Sequence, residues 1–265
     1  MQLHFQKMQG AGNKIVVVDQ RSGGHTKPDE NVLQVLREAL SEERFDQLMW
    51  LEPAQDSASV ASYRVFNYDG SEVEQCGNGV RCVAVLLAAQ DPRLHEFSLE
   101  SPAGVVEARI NSEKSASVNM GTPSFDDAFS QLEVGDQLID VDIVSMGNPH
   151  CVLDVPDVRK ADVNDLGATI EGHQRFPDRI NVGFMHIVDR NNIDLRVFER
   201  GVGETAACGT GACAAAASGM QRGLLDNEVT VSLPGGQLVV SWRGGNASCW
   251  LSGEVTFISE ETIDL

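Results

Sequence analysis

Two cysteines stand in nearly the same phrase, and this repetition points to chemistry. Cys76 lies in EVEQCGNGVRCVA and Cys208 lies in ETAACGTGACAAA, 132 residues later (208 − 76). The apolar runs that follow predict helices at about 78–90 and 211–223, so each cysteine would stand at a helix N-terminus. Unpaired backbone N–H groups and the positive end of the helix dipole stabilise a thiolate there. We therefore expect both thiols to have lowered pKa values and to transfer protons or attack as nucleophiles.

The glycines after each cysteine indicate a second part of a site. In a CGxG turn, glycine lets the backbone approach a ligand closely, and the N–H groups of the helix start can bind a carboxylate. Two copies related by pseudo-symmetry could act on one planar carbanion. A thiolate would remove the α-proton from one face, and a thiol would return a proton to the other. This is the chemistry that inverts a stereocentre.

The repeat extends beyond the two cysteine phrases. A Phe stands ten residues before each cysteine and a Glu four residues before it, and two further polar landmarks recur at offsets of 135 (148 − 13) and 134 (181 − 47). Landmarks in the same order indicate a duplicated domain. The alternative is coincidence among short Gly-rich phrases. The paired landmarks are Phe66 and Phe198, Glu72 and Glu204, Asn13 and Asn148, and Gln47 and Asn181.

Other chemistries account for less of the pattern. A cysteine hydrolase would pair one thiolate with a histidine, for which His150 is the best placed, and would leave the second CGxG phrase unexplained. A pyridoxal phosphate racemase would need a Schiff-base lysine, and no lysine here has a recognisable cofactor context. Cys76 and Cys82, like Cys208 and Cys213, are spaced so that they do not share a helix face, which argues against a metal site. We expect neither a cofactor nor a metal.

The elements that position these residues form two mixed α/β halves. Compact apolar runs bounded by Gly, Asn, Asp and Pro predict strands, among them KIVVVD, YRVFNY, GVVEARI, HCVLDV and DLRVFE. A further helix is predicted at about 30–41. Each half thus has one main helix directly after its CGxG turn, and the boundary falls near residues 119–124.

Composition excludes several classes of function. The 265 residues include 39 Asp and Glu against 20 Lys and Arg, for a net charge of −19. No basic window could neutralise phosphate, so nucleic acid and anionic membranes are not expected partners. No apolar run approaches the roughly 18 residues of a membrane span, and no secretory h-region is visible, so we expect a cytoplasmic protein. The remaining cysteines are expected in the core; they are Cys82, Cys151, Cys213 and Cys249.

Four stretches together resemble the diaminopimelate epimerase family, whose members are cofactor-independent two-cysteine enzymes. They are FNYDGSEVEQCGNGVRC at 66–82, VSMGNPH at 144–150, FPDRINVGFM at 176–185 and FERGVGETAACGTGACA at 198–214. The resemblance implies an α/β fold of the α+β type with two pseudo-symmetric, duplicated lobes. Each lobe would be a rolled, barrel-like sheet around a central helix, with the active site between the lobes. The predicted N-terminal lobe is 1–121, completed by the strand 254–265, and the C-terminal lobe is 122–253.

The resemblance also implies roles for individual residues. Cys76 and Cys208 match the two catalytic thiols, and His150 would tune a thiol. Glu199 matches a partner for the substrate ammonium, and Arg200 matches a residue that holds the distal amino-acid end. Backbone groups after each cysteine would cradle the carboxylate at the reacting carbon, and side chains would complete the pocket. These further substrate-binding residues are Asn13, Gln47, Asn67, Gly77, Asn78, Asn148, Asn181, Gly209 and Thr210.

The implied activity is interconversion of LL-2,6-diaminoheptanedioate and its meso form by two-base proton transfer, in lysine and peptidoglycan precursor synthesis. The alternatives are a racemase of another α-amino acid on the same scaffold and a catalytically silent amino-acid-binding protein. The expected partner is a small amino acid, and a homodimer is compatible with the resemblance. The chain departs from the family pattern at four positions that bear on loop conformation and substrate choice, namely Lys14, Ile15, Arg44 and Tyr68.

Overall fold

The computed structural model describes residues 2–23, 27–73, 75–126 and 131–265. The chain divides into two compact units. Unit 1 comprises the described residues up to Val118 together with Ser252–Leu265, and unit 2 comprises Asn119–Leu251. Each unit contains both helices and strands, so the α/β class is confirmed.

The described residues form four α-helices and many more strands. They are α1 (Glu30–Ala39), α2 (Gly77–Gln90), α3 (Val163–Glu171) and α4 (Gly209–Gln221), with a 3-10 turn at Val158–Lys160. The strands are β1 (Gln2–Gly10), β2 (Asn13–Asp19), β3 (Gln47–Glu52), β4 (Ser59–Asn67), β5 (Glu72–Val73), β6 (Glu96–Ser101), β7 (Gly104–Ser112), β8 (Ser115–Asn119), β9 (Ser124–Phe125), β10 (Gln131–Val134), β11 (Gln137–Asp140), β12 (Asp142–Ser145), β13 (Pro149–Asp154), β14 (Asn181–Asp189), β15 (Asn192–Glu199), β16 (Gly203–Thr205), β17 (Glu228–Leu233), β18 (Gly236–Ser241) and β19 (Trp250–Asp264).

Unit 1 is a rolled sheet that closes on itself. Strand β1 pairs with β2, β2 runs parallel to β3, and β3 pairs antiparallel with β4. The sheet continues through β6, β7 and β8, and β19 pairs with both β8 and β1 to close the barrel. Helix α2 packs against β1, β2, β3 and β7, and it is buried continuously from Gly77 to Ala84. A barrel-like sheet around a central helix is therefore confirmed for unit 1.

Strand β2 shows how one strand serves two layers. KIVVVD is apolar at each central position, which is typical of a strand buried on both faces. Val16 and Val18 pack in one cluster with Leu36 of α1. Because successive side chains point to opposite faces of a strand, Ile15 and Val17 face the other side, where α2 packs.

Unit 2 repeats the order and the directions of these elements. Strand β13 runs parallel to β14, β14 antiparallel to β15, β15 parallel to β17 and β17 antiparallel to β18. The short β16 pairs with β15 as β5 pairs with β4. Helix α4 packs against β12, β13, β14 and β18, and its four consecutive alanines at 214–217 are buried. The recurrence of strand order and direction confirms the duplication.

Three helices lie where the sequence predicts them. The predicted helix at about 30–41 is α1, whose N-cap Asp29 accepts a hydrogen bond from Val32 N at 2.9 Å. The other two are α2 and α4, and Gly223, with φ of +71°, ends the turn after α4. Helix α3 was not predicted, because its nine residues are few and contain Gly167 near the middle. No helix in the described part of the chain is long and apolar enough to cross a membrane.

The cysteines outside the CGxG phrases are core residues, as expected. Cys82, Cys151, Cys213 and Cys249 are completely buried. Burial raises the pKa of Cys82 and of Cys151 to about 12. Such thiols stay protonated and pack as small apolar groups.

Candidate functional site

Cys76 caps the start of α2 with its own sulfur. Its backbone is extended, with φ of −142° and ψ of 104°, and Sγ accepts a hydrogen bond from Gly79 N at 3.2 Å. The sulfur thus takes the place that a Ser or Asp oxygen holds at other N-caps. A side chain at Gly79 would collide with Met49 of β3, so glycine lets the helix start approach the sheet. The prediction that Cys76 stands at a helix N-terminus is confirmed.

Three predicted polar residues of unit 1 lie at one edge of its sheet. Asn13 and Gln47 are the first residues of the parallel strands β2 and β3. Asn67 ends the antiparallel strand β4 directly opposite Gln47. Gln47 Nε2 donates to Asn67 Oδ1 at 3.4 Å. The sheet register therefore gathers residues that are 54 positions apart (67 − 13) in the sequence.

The side chain of Asn78 joins this edge to the helix start. Its Nδ2 donates to Asn13 Oδ1 at 2.5 Å, and its Oδ1 accepts from Arg81 Nη2 at 2.5 Å. Arg81 is completely buried. Arg81 is not among the predicted site residues, although an arginine one turn after Asn78 in an otherwise apolar helix is a visible signal. Because the Asn78 amide is committed to protein partners, its predicted role in a carboxylate cradle rests on the backbone.

Two of the departures from the family pattern contact each other. The guanidinium of Arg44 lies 4.3 Å from the ring centroid of Tyr68. Phe45 meets the same ring edge-on at 5.1 Å between centroids. Tyr68 directly follows Asn67, so this stacked group lies beside the polar edge of unit 1. A cation over an aromatic face is attracted by the ring quadrupole, which holds Arg44 in place.

Cys208 begins α4 in unit 2 but has a different environment. Its Sγ lies 3.5 Å from Thr210 Oγ1, and only 5% of the residue is exposed. Burial raises the pKa of the thiol well above its usual range, and the carboxylate of Glu199 raises it further. The expectation of a lowered pKa is therefore wrong for Cys208. Desolvation outweighs the helix start, and the group is a neutral thiol that can donate a proton.

Glu199 ends β15 close to this thiol. Its Oε1 accepts a hydrogen bond from Thr205 Oγ1 at 2.5 Å. Burial raises the pKa of the Glu199 carboxyl, while hydrogen bonds from Thr205 and Cys208 act in the opposite direction. A carboxylate and a thiol are thus coupled in unit 2, and Asn67 takes the place of Glu199 in the unit 1 repeat (199 − 67 = 132).

His150 connects to Cys208 through two intervening side chains. Its Nε2 lies 3.1 Å from Asn148 Oδ1, and Asn148 Nδ2 donates to Thr210 Oγ1 at 3.3 Å. Thr210 in turn contacts the Cys208 sulfur. Burial, aided by the positive charge of Arg200, lowers the pKa of His150 to about 3. His150 is therefore neutral at physiological pH and reaches the thiol only indirectly.

Asn181 and Arg200 meet at the turn after β15. Asn181 Oδ1 accepts from Arg200 N at 3.0 Å, and its Nδ2 donates to Pro149 O at 2.9 Å. The Arg200 side chain is exposed, with Nη1 donating to Asp178 O at 3.2 Å. The structure thus brings Asn181 and Arg200 together in unit 2, whereas the side chain of Asn148 bonds to Thr210 and His150.

The duplicated glutamates form duplicated ion pairs. Glu72 pairs with Arg64 at 2.6 Å, and Glu204 pairs with Arg196 at 2.6 Å. The hydrogen bond from Arg64 lowers the pKa of Glu72. The arginines repeat with the same offset (196 − 64 = 132), so the repeat in the sequence could have revealed both ion pairs. Each pair joins a long strand to the short strand that precedes the CGxG turn. Within the described ranges, no group of three or more potential metal-ligating side chains comes together.

Comparison with known proteins agrees with these features. The family model described as diaminopimelate epimerase matches residues 5–125 and 143–258. A diaminopimelate epimerase of Acinetobacter baumannii strain AYE is 45% identical over 278 residues, covering 100% of this chain and 98% of the relative. One from Nitrosomonas europaea is 43% identical over 277 residues, covering 100% of both.

Solved structures show the same fold at lower identity. A hydroxyproline epimerase from Agrobacterium vitis superposes with a TM-score of 0.75 at 18% identity, covering 99% of this chain and 91% of that one. At such identity the likeness concerns the fold alone. The family model and the relatives aligned over the full chain show the family as well. The chain belongs to the diaminopimelate epimerase family.

Proposed function

We propose that this protein interconverts LL-2,6-diaminoheptanedioate and its meso form by inverting one α-carbon. The observation that carries the proposal is family membership over the whole chain, with relatives of that name at 43–45% identity. The reaction belongs to the synthesis of lysine and peptidoglycan precursors. It is an isomerisation, and we assign it to the protein's own side chains without a cofactor.

The chemistry requires one thiolate and one thiol, and each unit supplies one of them. A thiolate takes the α-proton, and the electron pair it leaves on carbon spreads into the adjacent carboxylate. The second thiol gives its proton to the carbon from the opposite face and becomes the thiolate, so protons and charge balance. The raised pKa of Cys208 supports a neutral thiol there before the substrate binds, and this is the form that can donate a proton. The backbone at Gly77, Asn78, Gly209 and Thr210 would stabilise the charge that develops on the carboxylate.

The polar groups of the two units have the chemistry to bind the rest of the substrate. An arginine can hold a carboxylate with two parallel hydrogen bonds, which suits Arg200 to the distal carboxylate. Asn67, Asn148 and Asn181 can both donate and accept, as a zwitterion requires. We assign the substrate ammonium to Glu199. Asn13 and Gln47 complete the proposed pocket, and His150 acts on the thiol through Asn148 and Thr210.

The proposed setting is the cytoplasm, with a small amino acid as the partner. All six cysteines are free thiols, which suits a reducing compartment. The net charge of −19 argues against nucleic acid and anionic membranes as partners.

A stereochemical assay tests this function. The purified protein is incubated with LL-2,6-diaminoheptanedioate, and the isomers are separated by chiral chromatography. Two amino acids serve as controls: L-lysine lacks the distal carboxylate, and L-glutamate lacks the distal ammonium. We expect accumulation of the meso form and negligible racemisation of the controls. Racemisation of a control amino acid together with no conversion of diaminoheptanedioate would overturn the proposal.

A further inference from the structure

Glu171 is a buried carboxylate in an unfavourable position that the proposed reaction does not use. It is the last residue of α3 and only 7% exposed. The negative end of the helix dipole and the loss of water both disfavour a carboxylate there. A carboxylate in such a position needs hydrogen-bond partners that offset these two costs. Its partners therefore indicate which part of the structure it holds in place.

The main partner of Glu171 is a backbone group in the turn that carries Arg200. Glu171 Oε1 accepts a hydrogen bond from Gly201 N at 2.7 Å. Arg179 Nη1 approaches both carboxylate oxygens at the longer distances of 3.3 and 3.4 Å, and its side chain is 60% exposed. The short contact to the Gly201 backbone N–H is therefore the stronger constraint, since exposed ion pairs contribute little.

The turn is held from two sides. Val202 N donates to Glu199 O at 3.1 Å, which closes a four-residue turn, and Gly201 has a positive φ of +75°. Asn181 Oδ1 takes the N–H of Arg200, and Glu171 takes the N–H of Gly201. Two consecutive N–H groups are thus fixed by side chains from β14 and α3. Glu199 and Arg200 are both residues of this turn.

Unit 1 has a contact at the same place in its repeat. Asp69 precedes Gly201 by the repeat length (201 − 69 = 132). Arg37 Nη1, on α1, donates to Asp69 O at 2.9 Å. In one unit a cation of the helix holds a carbonyl of the turn, and in the other a carboxylate holds an N–H. The chemistry differs while the helix-to-turn connection recurs, which indicates that the position of the turn is the property maintained.

We propose that Glu171 is a positioning residue that fixes the Arg200 turn and thereby sets the affinity for the distal carboxylate of the substrate. This inference rests on the proposed function, in which Arg200 binds that carboxylate. Glu171 acts through the backbone of Gly201 and does not touch the substrate.

The test compares four variants by kcat and KM for LL-2,6-diaminoheptanedioate. In Glu171→Ala the acceptor is lost, and in Glu171→Asp it is withdrawn by one methylene group, so we expect KM to rise about tenfold with kcat within about threefold. Glu171→Gln keeps an oxygen that can accept from Gly201 N, and its KM should stay within about threefold. Asp165→Ala is the matched control, an exposed carboxylate on the same helix, and should behave as wild type. A Glu171→Gln variant as impaired as Glu171→Ala, or an unchanged KM in Glu171→Ala, contradicts the proposal.

Amide hydrogen exchange at Gly201 gives a readout that does not depend on activity. We expect the exchange to accelerate at least tenfold in Glu171→Asp and Glu171→Ala and to stay near wild type in Glu171→Gln. Unchanged protection of Gly201 in the Asp variant overturns the inference even if the Ala variant does not fold. If wild type fails to convert diaminoheptanedioate, the proposed function fails, and the exchange result still decides whether Glu171 holds the turn.

Discussion

The two CGxG cysteines occupy equivalent positions with different surroundings. The sulfur of Cys76 accepts a backbone N–H and is partly accessible. Cys208 is enclosed beside a carboxylate, and its sulfur contacts a threonine hydroxyl. Because burial disfavours a charged sulfur, the enclosed Cys208 thiol stays protonated despite its place at a helix start. The asymmetry suits a reaction in which one sulfur must hold a proton while the other lacks one.

The coupling between Glu199 and Cys208 can be tested at the residue scale. Replacing Glu199 by Gln removes the negative charge that raises the pKa of Cys208, so we expect that pKa to fall. The measurement is the pH dependence of Cys208 alkylation by iodoacetamide, followed by mass spectrometry of the labelled peptide. Asp194→Asn, on the same strand, is the control. A midpoint that stays the same or moves to higher pH in Glu199→Gln would contradict this electrostatic coupling.

The low pKa of His150 predicts that the fold loses stability in acid. Its pKa is about 3 in the folded protein, against an ordinary value of 6.5. Between these values the unfolded chain binds a proton that the folded chain excludes, so the free energy of unfolding falls as the pH drops below 6.5. His150→Gln should flatten this dependence by up to about 1.4 kcal/mol per pH unit between pH 6 and pH 4. Urea denaturation at several pH values measures it, and identical slopes for the two proteins would refute the assignment.

At the scale of elements, α3 links the Arg200 turn to the sheet. A Cβ at Gly167 would lie 2.7 Å from Phe198 Cβ on β15, so the helix can approach this strand only because residue 167 is glycine. A Cβ at Gly172, by contrast, would meet only Ala168 O at 3.5 Å, an ordinary contact. The close packing of α3 on β15 is what keeps Glu171 within reach of Gly201.

Paired substitutions test this packing. Gly167→Ala should lower the free energy of unfolding by about 1–3 kcal/mol through overpacking against Phe198. Gly172→Ala should leave it unchanged or raise it by about 0.4–1 kcal/mol. Thermal unfolding of both variants under the same conditions measures the difference. Equal stability of the two variants would show that α3 tolerates displacement from β15.

The sequence predicts elements well where the signal is local. The CGxG turns and the apolar runs behind them locate α2 and α4 because a cap and a helix face are neighbours in sequence. Helix α3 escapes prediction since its anchoring contact, Gly167 on Phe198, joins residues far apart in the chain. For the same reason the burial of Cys208 could not be predicted, because it depends on tertiary packing. Arg81, one turn after Asn78, and the repeat offset of 132 between Arg64 and Arg196 are by contrast visible in the sequence.

At the scale of the whole molecule, unit 1 is built from the two ends of the chain. Strand β19 pairs antiparallel with β1, with Gly10 opposite Val255 and Gln2 opposite Asp264. Val255 is 3% exposed, while the next residue, Thr256, is exposed. The strand therefore contributes to the core of unit 1 as well as to its hydrogen bonding.

Substitutions in β19 should act on the N-terminal strands. Val255→Asp places a carboxylate in the core and should cost about 3 kcal/mol or more. Thr256→Asp, on the solvent side, should cost less than about 0.5 kcal/mol. Amide exchange in β1 and β2 should accelerate in the first variant alone. Unchanged exchange there would mean that β19 does not stabilise the barrel of unit 1.

The net charge of −19 bears on how the molecule recognises a substrate. The proposed substrate carries two carboxylates and two ammonium groups, so the overall field neither attracts nor repels it strongly. We propose that recognition depends on local groups, which are the helix starts at Cys76 and Cys208 and the guanidinium of Arg200. Other arginines, such as Arg64 and Arg196, instead form ion pairs with glutamates of the same unit.

The most direct test of the two-thiol account is epimerisation of LL-2,6-diaminoheptanedioate in deuterium oxide. Wild type should form the meso isomer with deuterium at the inverted α-carbon. Cys76→Ala and Cys208→Ala should each slow this conversion by about 10²–10⁴-fold, since each removes one acid/base group. Cys82→Ala, a buried cysteine on the same helix as the first thiol, should retain activity. Conversion at the wild-type rate by either Cys76→Ala or Cys208→Ala would contradict the account.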